Sequence, residues 1–161
     1  MKDLLTGFEE KKKARPFYLL IAALQITALA INFYLYYRPF NADRFAIVFS
    51  SSKRIIFALF YHVMPLAGVI FLSKRRQIGW ILLVIFSITH TVVQVRSILA
   101  IPDFEKELFR LPTYFLINSV FILFLLCLPV VRRQFCLTST ALLYTFIISL
   151  LLPIFLILFI N

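Results

Sequence analysis

Read along the chain, apolar residues gather into five runs separated by short polar or basic stretches, at about 17–37, 53–72, 78–98, 113–131 and 137–160. None alternates with the period of two that a half-buried strand would show, and each continues for close to twenty residues. At 1.5 Å per residue, roughly twenty helical residues cross the ~30 Å hydrocarbon core of a bilayer. The pattern predicts an all-α chain: a polytopic integral membrane bundle of about five transmembrane helices, forming a single transmembrane domain.

The punctuation between the runs supports this reading. Pro16 opens the first run and suits the first turn of a helix. Ala28-Leu29-Ala30 resembles a signal-peptide cleavage site after a basic region, but apolar residues continue to Tyr37, so an uncleaved anchor is expected. Residues 38–44 (RPFNADR) carry turn chemistry in Pro39, Asn41 and Asp43. Ser50, Ser51 and Ser52 offer caps for the second run, and Pro65 inside it predicts a kink. The link SKRRQ (73–77) is too short for anything but a turn, so the second and third runs form an antiparallel hairpin. Trp80, just past that turn, is expected as an interfacial anchor. In the link 99–112, Phe104, Leu108 and Leu111 recur at helical spacing after Pro102, which predicts a short amphipathic helix on the membrane surface. Pro129 with Arg132 and Arg133 should end the fourth run, and Pro153 interrupts the fifth.

Composition excludes a water-soluble fold. The 161 residues are 62% hydrophobic, with 19 Phe, and the mean hydropathy is +0.96. No single small core could hide that much apolar surface. The net charge of +10 comes in clusters between the runs rather than along an aromatic-lined groove, so membrane topology explains it and nucleic acid is not an expected partner. With the N-terminus inside, ten cations fall in inner segments and seven in outer ones, the inner group being Lys2, Lys11–Lys13, Arg15, Lys74–Arg76, Arg132 and Arg133. The expected location is therefore a cytoplasmic (inner) membrane of bacterial type, with a cytoplasmic N-terminus. In architecture alone the chain is similar to small four- or five-span bacterial membrane proteins.

Reactive groups are scarce. The sequence contains no glycine-rich phosphate loop, HExxH, GxSxG or CxxC, and no catalytic residue is assigned. Cys127 and Cys136 flank the arginine pair and are read as inert thiols, with no metal site expected. No acidic residue lies within a run, which disfavours ion-coupled transport. What remains is a sparse polar layer. His62 and His90, the only histidines, each lie about eight residues from the distal end of their run, roughly 12 Å below one face. Ser87, His90 and Gln94 share a face of the third helix; Gln25 and Asn32 share one on the first; Tyr61 and Asn118 lie at comparable depth.

Two chemistries fit this layer. His62 and His90 at equal depth could ligate a haem b iron or hold a quinone, which makes an electron-transfer subunit the alternative function. The plainer reading is interhelical hydrogen bonding, worth about 0.6 kcal/mol per bond. The leading expectation is a non-enzymatic accessory subunit that needs no cofactor and packs against other integral membrane proteins or itself. A small transporter or pore is the third reading.

Overall fold

The computed structural model describes residues 2–37, 56, 59–100, 110–135 and 137–160. Among them the chain is helical and no strand occurs. The helices are α1 (Lys2–Tyr37), a π-helical turn (Leu59–Val63) feeding α2 (Met64–Ser73), α3 (Gln77–Leu99), α4 (Arg110–Cys127), the single-turn α5 (Pro129–Arg132) followed by a 3-10 turn (Arg133–Phe135), and α6 (Ser139–Ile160). Three segments are long and apolar enough to cross a membrane: Ala14–Tyr34, Gln77–Leu99 and Ser139–Leu156. The bent pair Leu111–Cys127 and Pro129–Phe135 makes a fourth if its pieces count as one span. Leu59–Ser73 is apolar but shorter, so the described residues carry three or four such helices. The expected surface helix around Phe104 and Leu108 lies outside the described residues, as does Cys136, while Leu111 already belongs to α4.

Four local departures from the sequence reading have physical causes. Pro16 sits inside α1, which begins at Lys2. The leucines, glutamates and lysines upstream are good helix formers, and the helix continues through one missing hydrogen bond. Pro65 follows a π turn. Because Pro65 has no N–H for the Tyr61 carbonyl, the ladder loosens to wider spacing ahead of it and restarts as α2. Pro129 does not simply end the fourth run. It pushes Leu128 to an extended ψ of 134° and starts a new turn, bent by 62° from α4. Finally, α6 starts at Ser139 because Thr138 caps it, its Oγ1 accepting from the Ala141 N–H at 3.1 Å.

The hub is α3, which packs against α2, α4 and α6 and is half buried along its central window, against 22% for α1 and α6. Its junction with α2 is tight. A Cβ on Gly79 would lie 2.2 Å from the Leu72 backbone nitrogen, and one on Gly68 would lie 2.7 Å from the Leu83 side chain. The turn between them ends α2 in a Schellman motif: the Arg75 N–H bonds Leu72 O at 2.8 Å and the Arg76 N–H bonds Phe71 O at 2.9 Å. Arg75 takes the left-handed conformation this requires, with φ 55°.

Trp80, expected as an interfacial anchor, is 4% exposed and packs inside the bundle, its indole N–H donating to the Leu126 carbonyl at 2.8 Å. Around it Tyr18, Leu72, Leu83, Leu126, Val131 and Phe135 form the main core. These contacts gather the α1 approach, the Lys74–Arg76 turn and the bent α5 segment at one end of the bundle. Arg15, Lys74, Arg75, Arg76, Arg132 and Arg133 are all exposed there.

Candidate functional site

The polar layer read from the sequence becomes a cluster around His90. The imidazole is 3% exposed and is walled by aromatic rings: Phe86 stacks on it at 5.2 Å, while Tyr61 and Phe115 meet it edge-on at 5.3 and 5.7 Å. Phe86 lies four residues before His90, so the two share a face of α3. Tyr61 comes from the π turn and Phe115 from α4.

Both ring nitrogens of His90 have protein partners. Nδ1 lies 2.7 Å from Ser119 Oγ, and Nε2 lies 2.9 Å from Gln94 Nε2. With the Gln94 amide nitrogen as donor, Nε2 accepts, and Nδ1–H donates to Ser119: a neutral imidazole of one tautomer. Gln94 reaches back along its own helix at i, i+4, whereas Ser119 ties α3 to α4 across the bundle. Beside them is a small cavity with room for roughly one water, lined by Gln25, Asn32, Tyr61, His90, Asn118 and Ser119 together with Ala28, Leu29, Phe86 and Phe115.

The expected residues are therefore unevenly placed. Gln25, Asn32, Tyr61, His90 and Asn118 line one cavity. Gln94 joins through its bond to His90. Ser87 is buried near by in sequence, but it does not line the cavity; its carbonyl accepts from Thr91 Oγ1 at 2.8 Å. His62 points elsewhere: its ring lies edge-on to Phe33 of α1 at 6.4 Å. Tyr61, not His62, is the residue of the second run that meets His90. Equal depth fixes height along the helices but not rotation about them, and adjacent helical residues diverge by about 100°.

Sequence reasoning missed Ser119, Phe86 and Phe115. Ser119 had a signal, since Asn118-Ser119 is a polar pair in the middle of an apolar run. The two phenylalanines had none among 19. Among the described residues no group of three or more His, Cys, Asp or Glu side chains comes together as a metal site. Comparison with protein families, with curated proteins and with solved structures found no match to the chain.

Proposed function

We propose that the chain is a multi-pass integral membrane protein and acts without catalysis, as a small subunit packing against a larger membrane partner. One observation supports the membrane reading above others: the outer surface of the bundle is largely apolar, while polar side chains are drawn into its interior beside the hydrophobic core. Gln25, Ser87, Thr89, His90, Asn118, Ser119, Thr145 and Ser149 are buried, while Leu19, Ile117, Phe124, Tyr144, Leu151 and Leu158 are among the exposed residues. In water each such exposed side chain would forgo about 1.5–3 kcal/mol of burial. In hydrocarbon the arrangement is the favourable one, since polar groups then need partners inside the bundle. The five-run topology, with an inner N-terminus in a bacterial-type cytoplasmic membrane, remains the arrangement we favour.

The subunit role is supported by a polar cluster whose central imidazole is fully engaged by its own protein, and by the position of α6. That helix packs chiefly on α3, through a narrow stripe of Thr145, Ser149 and Leu156. Its hydroxyls bond its own backbone, Thr145 to Ala141 O at 2.7 Å and Ser149 to Thr145 O at 2.6 Å. Most of its circumference is left for lipid or another protein.

Photo-cross-linkers placed at Ile147 and Leu151 in the membrane-embedded chain should give one discrete protein adduct, and linkers at Leu19 and Leu20 only lipid. Equal lipid labelling at all four positions would remove the subunit reading. The electron-transfer alternative has less support, since the cavity beside His90 has room for roughly one water and both ring nitrogens are engaged by Ser119 and Gln94. An absorption band in the purified chain, lost in His90→Ala, would put the redox-carrier function first; a colourless chain argues for the subunit.

A further inference from the structure

Among the described side chains, the basic end of the bundle offers many hydrogen-bond donors. Six exposed cations gather there on three segments, Arg15 on α1, Lys74–Arg76 in the turn, and Arg132 with Arg133 in the bent segment. The contacts Tyr18–Phe135, ring centroids 5.9 Å apart, and Trp80–Leu126 hold those segments together. No acidic residue lies in the turn, and none follows Glu107 in the chain.

Behind the cations two neutral groups lack partners. The Tyr18 hydroxyl and the Gln77 side-chain nitrogen are closed to water and make no hydrogen bond. Tyr18 is 8% exposed and within coulombic reach of Arg75. Gln77 directly follows Arg76. Leaving a buried donor unpaired is unfavourable, and cationic neighbours cannot accept from either. A phosphate diester supplies what is missing, a negative charge for the guanidinium groups and free oxygens for the neutral donors.

We infer that this end holds the phosphate of an anionic phospholipid, between α1, the Lys74–Arg76 turn and the bent segment. The inference rests on the membrane reading above. Next to Tyr18, Leu19 and Leu20 are 62% and 41% exposed, an apolar surface just below the cations where an acyl chain can lie. Because both orphan atoms are closed in this conformation, binding moves a side chain.

The test titrates the full chain in neutral detergent with phosphatidylglycerol, phosphatidylcholine and inorganic phosphate while Tm is followed. Phosphatidylglycerol should raise Tm saturably; phosphatidylcholine should not, nor should phosphate at about 10 mM. Tyr18→Phe and Arg75→Gln should each raise the apparent Kd for phosphatidylglycerol about tenfold. Arg96→Gln, the same charge change near the other end of α3, should leave it within about twofold. Tyr18→Phe removes only the orphan hydroxyl, so its unliganded Tm should not fall. Equal stabilisation by both lipids, or equal weakening by Arg96→Gln and Arg75→Gln, would overturn the site. Saturation by inorganic phosphate with the same dependence on Tyr18 and Arg75 would overturn the lipid source and leave a free-anion site. Failure of the membrane reading is visible separately, as chain recovered in the aqueous fraction without detergent.

Discussion

The Trp80 indole N–H donates to the Leu126 carbonyl across the buried contact between α3 and α4. In an unbroken helix that carbonyl would receive the N–H of Val130. The chain instead turns by 62° at Leu128, ahead of Pro129, and the carbonyl is left for a side chain to meet. One indole thereby supports both the bend and the basic end beyond it. Trp80→Phe keeps most of the apolar volume and orphans the carbonyl, so stability should fall by about 1–3 kcal/mol. Denaturant titration in mixed micelles would measure it, and an unchanged midpoint would mean the carbonyl finds another donor.

The two hairpin glycines should rank in a fixed order. A methyl on Gly79 meets Leu72 backbone, whereas one on Gly68 meets the movable end of Leu83. Gly68→Ala should cost about 1–3 kcal/mol through repacking. Gly79→Ala has no side chain to displace and should exceed about 4 kcal/mol or prevent folding. A milder Gly79 variant would show that α2 and α3 can move apart.

Arg75 occupies a conformation that disfavours a side chain. Arg75→Gly should stabilise the lipid-free chain by roughly 1 kcal/mol, since glycine is the usual residue at this Schellman position. The same thermal melts used for lipid binding would report it; a lower Tm would indicate that the arginine side chain makes contacts of greater value than the backbone relief.

The His90–Ser119 bond is the cross-helix link of the polar cluster. A double-mutant cycle with His90→Phe and Ser119→Ala should give a coupling of about 0.6 kcal/mol, up to about 1.7. No coupling would mean that the ring is held by its aromatic walls alone.

Sidedness can be read directly. Single cysteines at 15, 75 and 133, in a background lacking Cys127 and Cys136, should label from one side of the membrane, and a cysteine at 99 from the other. Reporter fusions after Gln77 and after Asn161 should lie on opposite sides if five runs cross. Matching sides would remove one crossing among the three runs between those points, with the fifth run, α6, the first to withdraw.

The period and length of the apolar runs were enough to specify an all-helical chain and to place α3, because a continuous apolar run in a helix needs no partner to declare itself. They also placed Gln25, Asn32, Tyr61, His90, Gln94 and Asn118 at matching depth, since rise per residue is fixed. Rotation is not. Whether His62 or Tyr61 meets His90 depends on how a π turn before Pro65 orients the chain, and on which helix stands opposite. Only packing decides that. The same holds for Trp80, whose position near a run's end suggested an interfacial anchor but gave no partner, since the orphan carbonyl it bonds exists only because a distant proline bends α4. Local spacing determined the helices and the depth of each polar group; the tertiary structure decided which faces meet, because that is a property of pairs of helices far apart in the chain.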